Sequence, residues 1–221
     1  MDIYEFIGFY IGDGNIYSHK SRKIYRLELV GNVEEDYDYF NQLEEFIIKT
    51  TNKKPLKFVR KDQKGKSLRI QFNNKEFVTK LLSFGFKSGK KTFDIKIPDS
   101  LLRREMMISI LRGLFEADGC LYFSKSKLIK YPSYPRLEIC SSSEGLVNQI
   151  KSFLESEGFK VYVKKPSKNN RAFYIQISGE KMLELWKSKV GFVSLKNKTK
   201  YNFWKTKGFY IPHTNLKSRL N

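Results

Sequence analysis

The sequence predicts an α+β protein made of two copies of one αββαββα unit. A segment ending in Asp-Gly occurs twice, the segments that follow it match in the same order, and each copy shows the same succession of hydrophobic periods. The two aspartates, Asp13 and Asp118, lie 105 residues apart in a chain of 221. Recurrence at a constant spacing indicates an internal duplication. We therefore predict an N-terminal repeat at residues 1–98 and a C-terminal repeat, with a short basic and aromatic tail, at residues 99–221.

The matching segments are distributed along each copy. Phe6–Gly14 (FIGFYIGDG) corresponds to Leu111–Gly119 (LRGLFEADG). Further pairs are Leu68–Phe72 with Phe173–Ile177, Gly85-Phe86 with Gly191-Phe192, and Lys91-Thr92 with Lys198-Thr199. Matches in one order at spacings of 105 to 107 residues are hard to obtain by chance.

Each element of the unit has its own signal. A helix is predicted at 3–12 and 105–117, and Asp2 with Glu5 predicts a capping box at the first of these. Two strands follow, at 15–19 and 24–31 and at 120–126 and 135–141, because polar and apolar residues alternate there. Helical spacing of apolar residues predicts a helix at 34–50 and 143–157. Strands at 56–60 and 68–73, or 159–164 and 172–178, and a short helix at 74–83 or 179–188 complete each copy. Pro98 marks the link between copies, since proline fits neither a strand ladder nor a helix interior.

The first helix of each copy carries small residues four apart, Gly8 and Gly12 in one and Gly113 and Ala117 in the other. Such a face lets two helices approach closely; for one copy alone, an ordinary packed helix would explain it. The duplication supplies two such helices, each ended by the glycine of Asp-Gly. Two carboxylates near the negative ends of helix dipoles destabilise each other without a cation. Oxygen-only ligands favour Mg²⁺, and Mn²⁺ or Ca²⁺ could replace it.

Composition restricts the partners. Lysine and arginine exceed the acidic residues by 19 charges, which favours a polyanion such as nucleic acid over a membrane, although a merely lysine-rich soluble protein would show the same excess. No run of residues approaches 18 apolar positions, so we expect no membrane partner. Cys120 and Cys140 form no disulfide framework, which favours a reducing cytoplasm or organellar matrix. His19 and His213 are too isolated to build a zinc site.

Both Asp-Gly segments resemble the LAGLIDADG motif of homing endonucleases, and the duplication resembles their single-chain, two-motif members. The resemblance spans nearly the whole chain. It implies a saddle of two curved antiparallel sheets with the two motif helices packed at its centre. It also implies a monomer, without a small-molecule cofactor, that hydrolyses both strands of a long asymmetric site in double-stranded DNA. By the same resemblance, Asp13 and Asp118 bind metal, together with the backbone carbonyls of Gly12 and Ala117.

The family also keeps a basic residue near each scissile phosphate. Lys91 and Lys198 are expected in this role because they recur in the repeat, with Lys90 and Lys196 as competitors and a solvated loop lysine as the plain alternative. The sixth motif position is acidic in copy two, Glu116, but apolar in copy one, Ile11; this position binds no metal in the family. Where many relatives place Gln or Lys at the end of the second strand, this chain has Gly31-Asn32 and Ser141-Ser142.

Strand alternation divides each sheet into a core face and a face that would meet DNA. The side chains expected on the DNA face combine aromatic, basic, acidic and amide groups, a set suited to reading base edges in the major groove. They are Tyr17, Arg26, Glu28, Lys57, Arg69 and Gln71 in copy one, and Tyr122, Arg136, Glu138, Tyr162, Tyr174 and Gln176 in copy two. Loop lysines are expected on phosphates: Lys61, Lys64, Lys66, Lys125, Lys127 and Lys130.

Two other functions fit parts of the pattern. An intron RNA maturase, or a DNA- or RNA-binding protein without efficient cleavage, would keep the fold; the survival of both aspartates favours the nuclease. A transcription regulator on the same fold would need an added helix-turn-helix domain, for which the residues after 200 are too few.

Overall fold

The computed structural model of the chain describes residues 1–63, 65–89, 93–125, 127, 130–168 and 170–220. In copy one the elements are α1 (Ile3–Asp13), β1 (Gly14–His19), β2 (Ile24–Gly31), α2 (Tyr37–Thr51), β3 (Leu56–Asp62), β4 (Gly65–Asn73) and α3 (Lys75–Ser83). In copy two they are α4 (Arg104–Asp118), β5 (Gly119–Ser124), β6 (Tyr134–Ser141), α5 (Glu144–Ser156), β7 (Val161–Lys164), β8 (Phe173–Ser178) and α6 (Glu180–Lys189). The predicted α+β class and the order αββαββα are confirmed in both copies.

Each copy forms one antiparallel sheet of four strands. The strand order is β1-β2-β4-β3 in the first sheet and β5-β6-β8-β7 in the second. Equivalent residues occupy equivalent registers: Glu28 pairs with Gln71, and Glu138 pairs with Gln176. Residues at equivalent positions of the two sheets therefore face the same side, as a duplicated unit should show, although many of the side chains themselves differ.

The start of α1 shows half of the predicted capping box. The Asp2 carboxylate accepts hydrogen bonds from the backbone N–H groups of Tyr4 and Glu5, both at 2.8 Å. The Glu5 carboxylate does not return to Asp2; it accepts a hydrogen bond from the buried Tyr39 hydroxyl at 3.1 Å. Burial raises the pKa of Glu5, outweighing the opposing effects of the N-terminal ammonium and the Tyr39 bond. Glu5 therefore bonds a residue of α2 and does not complete the capping box.

A hydrophobic core runs from the first copy into the second. Phe6, Phe9 and Tyr10 of α1 pack under the first sheet, and Leu111, Leu114 and Phe115 of α4 pack under the second. The rings continue this packing, with Phe115 and Trp186 centroids 4.9 Å apart. No helix among the described residues combines the length and apolar composition that crossing a membrane requires.

The segment predicted as a short tail is instead structured. Leu195–Lys207 forms α7 and Leu216–Leu220 forms α8. Trp204 of α7 is buried against Phe123 of β5, and its indole N–H donates to the Ser133 carbonyl at 2.7 Å. The many lysines of this stretch hid a helix whose apolar face is narrow. The division at 98/99 stays a prediction; a 3-10 turn at Asp99–Leu101 lies beside it.

Candidate active site and nucleic-acid interface

The motif helices α1 and α4 cross in direct backbone contact. A Cβ added to Gly8 would lie 2.0 Å from the Ile110 carbonyl oxygen, and one added to Gly113 would lie 1.8 Å from the Glu5 carbonyl oxygen. Heavy atoms cannot approach that closely. Glycine at these two positions is what allows the helices to touch, so the small-residue face predicted from the sequence lies where expected.

The ends of the two helices meet. A Cβ on Gly12 would come within 2.5 Å of the Ala117 Cβ and 3.0 Å of Asp118 Oδ2. The Asp118 carboxylate therefore lies against the last turn of α1, whose final residue is Asp13. Both aspartates are half-buried. The structure brings together the two residues that the repeats supply separately.

The glycine after each aspartate is the C-cap of its helix, as predicted, but its conformation is not that of the usual glycine cap. Gly14 and Gly119 are extended, with φ of −104° and −96°, and not left-handed as in the usual glycine cap. A Cβ on Gly14 would clash with Tyr10, and one on Gly119 would lie 2.4 Å from the Phe115 carbonyl oxygen. Each glycine is required because β1 or β5 leaves the helix end at once, passing close over its last turn.

The oxygen groups at these helix ends suit a hard divalent cation. The oxygen donors in this region are two carboxylates, from Asp13 and Asp118, and the carbonyls of the last helical turns. Within the described ranges there is no cluster of three or more His, Cys, Asp or Glu side chains that could hold a metal alone. A cation here would therefore complete its usual six or more oxygen ligands from water or a bound phosphate.

Beside the motif ends, Glu116 connects α4 to the start of α7. Its carboxylate is buried and accepts four hydrogen bonds. Oε1 accepts from the backbone N–H groups of Val193 at 2.8 Å and Ser194 at 3.2 Å. Oε2 accepts from the Ser194 hydroxyl at 2.5 Å and from the Asn197 amide at 2.7 Å. The acidic sixth motif position of copy two thus holds the first turn of a helix that the sequence did not predict.

Of the lysines considered for the active site, Lys196 lies beside the motif ends. Its ammonium donates to Asp36 Oδ1 at 2.7 Å and to the Glu116 carbonyl at 3.2 Å. Burial disfavours the ammonium, but the adjacent Asp36 carboxylate outweighs it, so the pKa of Lys196 is raised. Lys196 is therefore a fixed cation at physiological pH.

Lys198 was favoured by the repeat, but the structure places its side chain elsewhere. Two residues along a helix correspond to a rotation of about 200°, so Lys198 points away from the face that carries Lys196. It is exposed. The repeat therefore matches Lys91 with a residue on the outer face of α7, and a catalytic role for Lys198 stays a prediction. Lys90 and Lys91 lie outside the described residues.

A second lysine of α7, which sequence reasoning missed, accompanies Lys196. Lys200 is one helical turn further on, and burial lowers its pKa, opposed by the nearby Cys120 and Glu35. Cys120 follows Asp118 by two residues, so Lys200 also faces the motif region. The i, i+4 spacing of Lys196 and Lys200 would have indicated a shared face once α7 was recognised as a helix.

The solvent-facing side of the first sheet carries the residues predicted to meet DNA, with one exception. Arg69 and Glu28 form an ion pair at 2.5 Å. Lys57 lies on the opposite face, because it pairs with the buried Ile70 and contacts Glu44 of α2. Strand alternation in the sequence was interpreted as placing Lys57 on the DNA face; strand register places it against the helix layer instead. The other predicted residues of this copy, Tyr17, Arg26 and Gln71, are in the expected rows.

All six predicted residues of copy two share the solvent-facing side of the second sheet. Glu138 is central among them: its carboxylate accepts from the Gln176 amide at 2.5 Å and from the Tyr122 hydroxyl at 3.5 Å. Arg136 lies over the Tyr134 ring and donates to the Ser124 and Ser178 hydroxyls. Tyr162 lies on the edge strand β7, and Tyr174 lies on the inner strand β8 beside it.

The lysines predicted to touch phosphates lie at the margins of these sheets. Those that the structure describes, Lys61, Lys66, Lys125, Lys127 and Lys130, are exposed; Lys64 lies outside the described residues. Exposed ammonium groups around a mixed polar face match the division between backbone contacts and base contacts.

Comparison with known proteins finds similar sequences. Residues 105–191 match the family model described as the LAGLIDADG-like domain. Among curated proteins, the replication factor C small subunit of Methanocaldococcus jannaschii is 30% identical over 179 residues, 75% of this chain. Those residues cover 9% of that protein, so the chain spans less than a tenth of the curated relative it matches.

Solved structures share the fold across both repeats. I-SmaMI, bound to an uncleaved DNA target with calcium ions, has a TM-score of 0.61 at 12% identity, covering 94% of this chain and 90% of that one. I-DmoI in complex with DNA and calcium has a TM-score of 0.58 at 18% identity, covering 85% and 87%. The homing endonuclease I-WcaI, bound to its DNA recognition sequence, has a TM-score of 0.56 at 19% identity, covering 86% and 80%. Other matching I-DmoI structures contain manganese or were obtained with magnesium.

Proposed function

We propose, from the premise that this chain is a two-motif protein of the LAGLIDADG family, that it is a site-specific endonuclease cutting both strands of double-stranded DNA. One observation carries the proposal: the aspartate-bearing ends of α1 and α4 meet between the repeats, in the contact of Gly12 with Ala117 and Asp118. Neither repeat can form this site alone. A site on a pseudo-two-fold axis suits a reaction performed once on each of two antiparallel strands.

The residues at the meeting helix ends would have different roles in cleavage. Asp13 and Asp118 would hold divalent cations, of which Mg²⁺ is our choice, with the carbonyls of Gly12 and Ala117 as further oxygen donors. When bound, such a cation activates water and stabilises the leaving oxygen of a phosphodiester. Lys196 would neutralise charge on one scissile phosphate. Its own bond to Asp36 keeps the ammonium in place before DNA arrives.

Binding would use both sheets of a single chain. The excess of 19 positive charges supports a partner with closely spaced phosphates. The paired polar residues of each sheet, such as Arg69 with Glu28 and Gln176 with Glu138, supply donors and acceptors for base edges. Because these rows differ between the copies, we propose a long and asymmetric target.

The test is cleavage of the genomic locus from which the coding sequence is removed, since a homing enzyme targets the uninterrupted site. A plasmid joining the two flanking sequences is incubated with the protein and Mg²⁺. Asp13→Asn and Asp118→Asn should each reduce cleavage about 1,000-fold or more, a loss of roughly 4 kcal/mol of transition-state stabilisation. Both should still bind the site.

Asp99→Asn is a matched control, because Asp99 is an exposed residue of the 3-10 turn between the repeats. It should cut at the normal rate. Normal double-strand cleavage by either motif variant would refute the metal assignment. Failure of the unaltered protein to cut, combined with tight binding of intron RNA, would replace the nuclease with a maturase.

A further inference from the structure

The buried carboxylate of Glu116 is not explained by metal binding. Glu116 precedes Asp118 by two residues on α4, is 2% exposed, and directs its oxygens to the start of α7. All four of its hydrogen bonds come from Val193, Ser194 and Asn197. The Glu116 carboxylate therefore binds the start of α7 and does not face the motif site.

These bonds fix the entry and first turn of α7. Ser194 is the N-cap of that helix, and its hydroxyl also accepts from the Asn197 N–H at 3.3 Å. A carboxylate beside a helix N-terminus also interacts favourably with the helix dipole. Glu116 thus acts as an external cap that ties α7 to the last turn of the motif helix.

The cluster of Glu116, Ser194 and Asn197 lowers the stability of the fold at one point, and a purely structural cap would not need to do so. Asn197 is fully buried, and its Oδ1 has no hydrogen-bond partner among the described residues. A buried acceptor without a partner lowers the stability of the folded state. An apolar contact could join the two helices at lower cost, but it would not set the direction of α7 through specific hydrogen bonds.

The first turn of α7 carries Lys196. The residue lies in the first turn, two positions after the N-cap Ser194, and its ammonium donates to Asp36 of copy one and to the backbone carbonyl of Glu116. The position of the ammonium therefore depends on two anchors, the Glu116 carboxylate through α7 and the Asp36 carboxylate directly. A second cross-repeat bond, from the Leu195 N–H to Asp38 Oδ2 at 2.7 Å, supports the same turn.

The equivalent position in copy one has no such chemistry. Ile11 occurs 105 residues before Glu116 and is buried, and its side chain has no acceptor oxygen. A carboxylate anchor of this kind can therefore operate in one repeat and not in the other. The two halves of a pseudo-symmetric site would then respond differently to its loss.

We propose that Glu116 is a positioning residue that holds Lys196 at one of the two scissile phosphates, so that its loss slows cleavage of one DNA strand selectively. The inference rests on the proposed function, and it adds a cause for unequal strand cleavage. The Glu116→Gln amide keeps the volume but presents an NH₂ group to donors, which breaks the bonds of Ser194 or Asn197. Displacing a catalytic group by about 1 Å can cost on the order of 100-fold in rate.

The experiment measures the two strands separately. A duplex carrying the plasmid site that the unaltered protein cuts is labelled differently on each strand, and single-turnover rates are measured with Mg²⁺. Glu116→Gln should slow one strand about 10- to 100-fold more than the other, so that nicked DNA accumulates. The control, Glu184→Gln, removes a carboxylate that bonds Tyr201 and Lys205 of the same helix, and it should leave the strand ratio unchanged.

A coupling test separates positioning from general loosening. In a Lys196→Met background, Glu116→Gln should have no further effect on the strand ratio, because both changes act through the same ammonium. Asp36→Asn, which leaves the Glu116 cluster intact, should produce the same strand bias. This variant keeps the proposal testable if Glu116→Gln does not fold.

A second readout needs neither DNA nor metal. An acetylating reagent reacts with the neutral amine of an accessible lysine, and mass spectrometry reads the extent of reaction at each site. Acetylation should rise at Lys196 in Glu116→Gln and stay low in Glu184→Gln. No cleavage by the unaltered protein would overturn the proposed function. Equal slowing of both strands, with unchanged Lys196 reactivity, would overturn the positioning role alone.

Discussion

Replacing Gly113 with alanine should separate the motif helices and damage both stability and cleavage. The added Cβ would lie 1.8 Å from the Glu5 carbonyl oxygen and 2.9 Å from the Phe9 nitrogen. Both are backbone atoms of α1, so no side-chain rotation relieves the clash. Because heavy atoms in contact settle about 3.5–4.0 Å apart, the helices would have to move apart by roughly 1.5 Å or more.

The magnitude follows from two opposing effects. Overpacking a well-packed contact costs about 1–3 kcal/mol, while alanine in place of glycine within a helix contributes about 0.5–1 kcal/mol of stability. We expect a net loss of about 1–2 kcal/mol. Moving α4 also shifts Asp118 relative to Asp13, and a displacement of about 1 Å can cost 100-fold in rate. Cleavage should therefore fall about 100-fold, well beyond what the loss of stability explains.

The assay pairs urea denaturation with single-turnover cleavage at a temperature where the variant is folded. Gly145→Ala is the control, because a Cβ there would meet the flexible side chain of Lys96, 2.3 Å from its Cε, and no backbone. Its stability and cleavage should stay close to those of the unaltered protein. If Gly113→Ala were as stable and as active as Gly145→Ala, the helices would not be in the backbone contact described.

Two other predictions concern charge. The bonds of Glu157 to Arg104 and then to Lys189 lower its pKa from 4.5 to about 2, so its carboxylate contributes stability above about pH 4.5 that is lost as the pH falls towards 2. Thermal unfolding of Glu157→Gln should therefore occur at a lower temperature at neutral pH, with the difference disappearing near pH 2; a constant difference would contradict the ion pairs. On the DNA side, Arg69→Ala should weaken binding of the target by about 1–3 kcal/mol, whereas Lys57→Ala should leave affinity and its salt dependence unchanged in anisotropy titrations. Equal losses would mean that strand register does not decide which side chains meet DNA.

The order of elements could be predicted because local physics repeats with the sequence. The spacing of hydrophobic residues, the helix caps and the glycines determine local structure over a few residues. In a duplicated chain each of these signals occurs twice. The strand starting at residue 56 was predicted correctly, yet Lys57 was placed on the wrong face. Its side is set by pairing with Ile70 in a neighbouring strand, and charge alone does not reveal that partner.

Some parts of the candidate site could likewise be predicted from local sequence, and others could not. The meeting of the helix ends that carry Asp13 and Asp118 was predictable, because each of the two helices ends in Asp-Gly and carries a face of small residues. The sequence could not reveal α7, because its lysines obscure the narrow face through which Trp204 packs. Without that helix, Lys198 was the natural match to Lys91, and the surroundings of Lys196 could not be foreseen.

The sequence by itself determined that there are two copies, which elements each contains, and that one aspartate ends the first helix of each. Those properties depend on neighbours within a few positions and on a repeat that can be read directly. Only the tertiary structure decided that Glu116 faces α7, that Asp36 of one copy holds Lys196 of the other, and that Gly14 and Gly119 are extended. Each of these depends on atoms distant in sequence, whose approach is set by how two helices and two sheets pack together.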